Sequence, residues 1–146
     1  MTDQGPLSAE HRAPAVIHES EGEWETLRWP GELSKMLFHP RPEAPTEPNA
    51  GLVRYEPGAY HPLHNHDFAQ VWYIVEGEFD IGGERYGPGT MLFHGDPHHE
   101  PEMRTESGGL MVIVQYQGPT TGGRPIYDGR FNVAERKPVE AERVDV

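Results

Sequence analysis

Three of the chain's nine histidines, His61, His64 and His66, fall within six residues. His64 and His66 are two apart, and on a β-strand residues i and i+2 project from the same face. Two imidazoles side by side can chelate one metal ion, since neutral imidazole suits zinc, iron, copper and nickel. Gln70 keeps the same parity. If the chain stays extended, or bulges by an even count, its side-chain oxygen meets the same centre. A further ligand has to come from another strand, and Gly95-Asp96-Pro97-His98-His99 offers His98 and His99. His11, His18, His39 and His94, taken singly, read as surface or satisfied core residues.

Such a site needs strands to hold it. Segments 24–29, 35–39, 52–55, 68–75, 78–81, 84–86 and 90–93 alternate or are rich in β-formers, and turn signals separate them: Pro30-Gly31, Pro57-Gly58, Gly82-Gly83 and Gly87-Pro88-Gly89. The apolar run at 110–116 predicts a strand buried on both faces. Pro40, Pro42, Pro45 and Pro48 keep residues 40–50 out of a central ladder and predict a surface loop. The chain has 17 glycines and 15 prolines in 146 residues, yet also three Trp, six Tyr and five Phe. That combination describes a folded chain with many tight turns. No helix of three turns and no repeat of 20–50 residues stands out. Short, evenly spaced strands predict an all-β fold, a jelly roll or small closed barrel whose mouth is a usual ligand site. The organisation expected is an N-terminal arm over 1–23, a barrel over 24–131 and a charged tail over 132–146.

Composition removes several function classes. A formal net charge of −12 repels phosphate backbones and anionic lipid, so neither nucleic acid nor a membrane surface is an expected partner. Without cysteine there is no disulfide, thiolate zinc site or cysteine nucleophile. No apolar run approaches the length of a membrane-spanning helix. The first residues lack the basic and apolar regions of a secretory signal, so a cytoplasmic location is expected. No nucleophile elbow, phosphate loop or dinucleotide fingerprint is present.

Gly58, five residues, His64-x-His66, three residues, Gln70, six residues and Gly77 together resemble the first motif of the cupin superfamily. Residues 82–90 resemble the hairpin of the second motif, and Gly95-Asp96-Pro97-His98 resembles its Gly-x-Pro-His ending. The departure is Gln70, where most cupins carry glutamate. The resemblance implies an antiparallel double-stranded β-helix, the jelly-roll barrel of cupins. It implies one divalent transition metal held by His64, His66, Gln70 and His98, with His99 as the substitute for His98. Fe(II) is favoured, with Zn, Ni or Mn as alternatives. A glutamine in place of a carboxylate leaves more positive charge on the ion, suiting an anionic ligand.

The function this implies is a metal-dependent enzyme acting on a small organic molecule, with an Fe(II) dioxygenase, an oxidoreductase, as the leading reading. Three neutral histidines leave positions open for oxygen and a chelating substrate. A redox-silent lyase or isomerase on a small sugar acid or enolisable substrate is the alternative, with Tyr60 or His61 as proton carriers. A non-catalytic metal- or ligand-sensing cupin is the other class. Trp72 and Ile74 share the parity of Gln70 and are candidate pocket walls, as are Phe79 and Met91. A strap, Arg124-x-x-Tyr127-Asp128-x-Arg130, is placed to cap the cavity. A homodimer paired through the N-terminal arm is the expected assembly.

Overall fold

The alternation read from the sequence becomes three antiparallel sheets. The computed structural model describes residues 13–125. The largest sheet has six strands in the order β1 (Glu25–Thr26), β2 (Glu32–Phe38), β3 (Asn49–Tyr55), β12 (Gly109–Gln117), β6 (Phe68–Gly77) and β9 (Met91–His94). A four-stranded sheet runs β4 (Tyr60–His61), β11 (Met103–Arg104), β7 (Phe79–Ile81) and β8 (Glu84–Tyr86). A two-stranded ribbon pairs β5 (His64–His66) with β10 (His98–Glu100). Among the described residues the only helical element is a 3-10 turn at Glu19–Glu21. The all-β antiparallel barrel expected from the sequence is what the chain forms.

The inner face of the large sheet is laid out in register rows. Val53, Met111 and Ile74 make one row across β3, β12 and β6. Gly51, Ile113, Trp72 and Leu92 make the next, reaching β9. Together with Phe79, Ile81 and Met103 from the smaller sheet, these side chains form the apolar core. One row further along stand Asn49, Gln115, Gln70 and His94, all polar and all buried. The barrel interior therefore passes from hydrocarbon to hydrogen-bonding groups within a single row, and the candidate ligands lie at the polar end.

Several elements differ from the sequence expectation. The strand at 110–116 exists but is buried on one face only: Met111, Ile113 and Gln115 point inward, while Val112 and Val114 are half-buried. Its apolar run reflects a partly covered outer sheet face: the arm and Trp24 lie over the β2–β3 side, while Tyr73, Val75, Met91 and Phe93 on β6 and β9 are exposed. The strand expected at 24–29 is reduced to two residues, because only Glu25 and Thr26 find partners, in Ser34 and Leu33. Trp24 is held instead between two cations, with Lys35 Nζ at 4.7 Å and the Arg54 guanidinium at 4.8 Å from its ring. The same Lys35 donates to the Glu19 carbonyl at 2.9 Å, tying that part of the arm to β2. The proline-rich segment is a loop only as far as Pro48: Asn49 and Ala50, expected in the loop, already pair with β12, and Asn49 is buried. The tail over 132–146 and the strap residues Tyr127, Asp128 and Arg130 lie outside the described residues.

Gly77, the closing glycine of the first motif, has φ +90°, and a Cβ there would run into the backbone of Gly108 and Gly109. We expect Gly77→Ala to cost at least about 1–3 kcal/mol, the usual range for a side chain forced into this region of backbone space. Urea unfolding followed by tryptophan fluorescence measures it, and an unchanged midpoint would contradict the close approach.

Candidate metal centre

Two strands of three residues place four ligand-type side chains together. β5 and β10 pair with His66 opposite His98 and His64 opposite Glu100. Positions 64 and 66 face one way, as do 98 and 100, so one side of this ribbon carries three imidazoles and a carboxylate. His99 stands opposite Asn65 on the other parity and is exposed. Ligand atoms of His66, His98 and Glu100 lie within 4.8 Å of one another, and so do those of His61, His64 and Glu100. Glu100 is common to both groups.

The spacings are those of a coordination shell. His64 Nε2 and His66 Nε2 are 3.1 Å apart. Glu100 Oε1 is 2.9 Å from His66 Nε2, and its Oε2 is 3.3 Å from His64 Nε2. Metal–nitrogen bonds near 2.1 Å place neighbouring ligand atoms about 3.0 Å apart in an octahedron and about 3.4 Å apart in a tetrahedron. The ring tautomers are set for the same purpose. His64 Nδ1 donates to the Pro62 carbonyl at 2.7 Å, and His98 Nδ1 donates to the Gly95 carbonyl at 2.6 Å. With an ion bound, each neutral ring would therefore turn its Nε2 lone pair toward the centre, as a metal ligand must. Three imidazoles and one carboxylate are a donor set that first-row divalent metals accept, so the residues fit the ion that the fold leads one to expect.

Electrostatics agree with the donor assignment. Without an ion, burial pushes the Glu100 carboxyl up, but positive charge on His66 and donation from the His64 and His66 Nε2–H groups outweigh it and hold Glu100 well below the usual carboxylate range; a bound ion would take the place of those protons. Burial holds the His98 pKa down, which keeps the ring neutral. His61 is also in the cluster, its Nε2 3.2 Å from Glu100 Oε2 and its Nδ1 2.8 Å from Glu32 Oε2. Glu32 is buried in turn, and burial raises its pKa although the hydrogen bond to His61 opposes the rise. The Trp29 ring covers this side, with centroids 4.6 Å from His64 and 5.3 Å from His61.

A clamp ties the ligand strands to the loop after β12. The Asp96 carboxylate, two residues before His98, accepts from the Thr120 and Thr121 amides at 2.8 and 2.7 Å. The Thr121 hydroxyl lies 2.8 Å from both Asp96 Oδ1 and the Asp67 carbonyl, just after β5. Gly118 permits the contact, since a Cβ there would meet the Asp96 carboxylate.

Of the residues singled out in the sequence, the structure brings together His61, His64, His66 and His98. Gln70 is buried nearby, its Nε2 donating to Gln115 Oε1 at 3.0 Å. Trp72, Ile74 and Phe79 are buried in the barrel core. Tyr60 is on the surface, its hydroxyl donating to Glu102 at 2.9 Å, and Met91 is 66% exposed on the outer face of the large sheet. Glu100 and Glu32 were not singled out. His98-x-Glu100 carries the same two-residue parity as His64-x-His66, so a signal for Glu100 was present. Glu32 lies far away in sequence and had none. His94, read as an ordinary histidine, stacks on His98 with centroids 4.8 Å apart and planes at 28°, and packs against Trp72 at 4.4 Å.

No family model matches the chain. A dimethylsulfoniopropionate lyase, DddQ of Ruegeria pomeroyi, is 35% identical over 77 residues, covering 47% of this chain. The matched stretch spans 37% of that protein's length, little more than a third. An RmlC-like cupin from Shewanella frigidimarina superposes with a TM-score of 0.59 at 24% identity, over 74% of this chain and 95% of that one. An acetylacetone dioxygenase from Acinetobacter johnsonii gives a TM-score of 0.59 at 11% identity, over 80% of this chain and 81% of that one. At these identities the two structures establish a shared fold.

Burial lowers the His94 pKa to about 4. The unfolded chain takes up this proton near the ordinary histidine value of about 6.5. Between those values the unfolded form binds the extra proton, so the metal-free protein should lose stability as pH falls from about 6.5 to about 4, with no further loss from this group below. Denaturant midpoints of chelator-treated protein across that window test this: His94→Gln should flatten the slope, and an unchanged slope would exclude a neutral buried His94.

Proposed function

We propose, from its barrel fold and its cupin-like motifs, that the chain is a cupin-type metal-dependent enzyme acting on a small organic molecule, its ion held by His64, His66, His98 and Glu100. The observation that carries this reading is the convergence of Glu100 and the histidine Nε2 atoms at ligand-to-ligand spacing. In this reading the fourth donor is Glu100 on β10 in place of Gln70. Three neutral imidazoles and one carboxylate leave a divalent ion with a net charge of +1. A bound ion would act as a Lewis acid on a substrate oxygen.

The chain's own residues set the rest. His61 Nε2 stands 3.2 Å from Glu100 Oε2, and Glu32 fixes the ring through Nδ1 at 2.8 Å. Trp29 keeps water from that side. Iron, zinc, nickel and manganese all accept this donor set.

For the reaction we favour proton-transfer chemistry without oxidation, of lyase or isomerase type. Two things support it: the 35% identity over 77 residues to a protein named as a lyase, and a Glu32–His61 couple able to hold a proton beside the centre. An Fe(II) oxygenase is the second reading, favoured by the fact that four donors leave two of six octahedral positions open.

Metal analysis and turnover separate the readings. Zinc should bind at one ion per chain and raise the melting temperature, with chelator reversing the rise. Glu100→Gln should weaken zinc binding by at least about 10–100-fold, the loss that even an outer partner of a ligand produces. Unchanged affinity in that variant would remove Glu100 from the centre. Anaerobic release of a thioether from dimethylsulfoniopropionate, or turnover of another small enolisable acid with zinc bound, supports the lyase reading. Oxygen uptake that requires iron, over β-dicarbonyls or phenols, supports the oxygenase.

A further inference from the structure

The metal centre leaves a second group of buried polar atoms unaccounted for. Asn49, Gln115, Gln70 and His94 are successive register partners across β3, β12, β6 and β9, on the inner face of the large sheet. They are 0%, 2%, 4% and 9% exposed. The middle pair shares one hydrogen bond, from Gln70 Nε2 to Gln115 Oε1. Beyond it, Asn49 Oδ1, Gln115 Nε2, Gln70 Oε1 and His94 Nε2 have no hydrogen-bonding partner among the described residues. Trp72 Nε1, one row nearer the core, has none either.

A row of unpaired polar atoms does not stabilise a core, because each loses its hydration and gains nothing in return. Leucines of similar volume would fill the same row without that cost. The amide pair leaves one carbonyl and one NH2 group free whichever way the two side chains are turned, so the pattern does not depend on the amide assignment. The row also touches the metal centre, because His94 stacks on the ligand-type His98.

We propose that this polar row is the substrate-recognition surface of the barrel and takes the uncharged, hydroxyl- or amide-bearing part of the substrate. The proposal rests on the reading of the barrel interior as the active site. The side chains supply the chemistry. Asn49, Gln115 and Gln70 carry no charge and present two acceptors and one donor, in the order acceptor, donor, acceptor with the amides as the structure has them. A hydroxyl or primary amide both donates and accepts, and so satisfies a mixed row. A carboxylate only accepts and would leave Asn49 Oδ1 and Gln70 Oε1 unpaired. An ammonium only donates and would leave Gln115 Nε2 unpaired. Adjacent strands are about 4.8 Å apart, so the row suits a molecule with polar groups on more than one carbon.

Saturation-transfer NMR on the full chain tests this, with glycerol, lactamide, propionate and propylammonium as probes, on zinc-loaded and chelator-treated protein. Glycerol and lactamide should bind in both states, and propylammonium in neither. Propionate should bind only with zinc. Gln115→Leu should weaken glycerol and lactamide by about fivefold or more, the weight of one or two hydrogen bonds, while zinc stoichiometry is retained. The double variant Gln70→Leu/Gln115→Leu should melt at or above the wild-type temperature, as expected for a row kept for recognition. The proposal is overturned if glycerol and lactamide do not bind, if their binding survives Gln115→Leu, or if the double variant melts lower. It is also overturned if Gln70→Leu loses zinc, which would make Gln70 a ligand. Failure of the wild type to bind zinc, with glycerol and lactamide still bound, would remove the metal reading and leave this one standing.

Discussion

A carboxylate buried to 4% exposure is the constraint on which this end of the barrel depends. An ionised group taken out of water at that depth costs several kcal/mol unless partners replace its hydration. Glu100 meets the cost through His61, His64 and His66, all within 3.3 Å of its oxygens. Those partners come from β4 and β5, while Glu100 comes from β10. Satisfying one charge therefore requires strands some forty residues apart in sequence to be in register. Glu32 on β2 extends the requirement to the large sheet through His61. The Asp96–Thr121–Asp67 clamp sets the ends of β5 and β10 from the other side.

The division of the barrel interior follows from the same constraint. Val53, Met111 and Ile74 can pack as hydrocarbon because they face Phe79, Ile81 and Met103, away from the charged ribbon. Where β3, β12, β6 and β9 reach that ribbon, the inward residues become Asn49, Gln115, Gln70 and His94. Each of these four is less favourable for packing than the apolar row beside it. A barrel selected for stability alone would continue the apolar pattern by one more row.

How far this was legible in the sequence depends on whether the signal was local. The parity of His64 and His66, the turn glycines and the strand alternation all act within a few residues, and each led to the right element. Glu100 was equally legible from His98-x-Glu100, but the choice of Gln70 as a ligand drew attention away from it. Glu32, Gln115 and His94 gave no local signal, because their roles come from register with strands far away in the chain. The run at 110–116 misled for a related reason. Apolar residues on both parities describe composition, and whether the outer face is covered depends on what lies over the sheet. The pairing of β5 with β10 was also hidden, since neither strand has the apolar alternation that marks the others.

The position of the acid has a geometric consequence in the proposed centre. On β6, a carboxylate at position 70 would put a charge in the row between Gln115 and His94. Placed on β10, the charge sits on the same ribbon as His98 and directly opposite His64. The ligand-type side chains would then all come from β5 and β10, and the row Asn49, Gln115 and Gln70 carries no formal charge. Gln70 is left to pair with Gln115 and carry a neutral amide. Exchanging glutamate for glutamine at position 70 thus does more than remove a charge. With the carboxylate supplied by Glu100, the site separates an ion-holding ribbon from a neutral hydrogen-bonding sheet, and a substrate in the barrel would meet both at once.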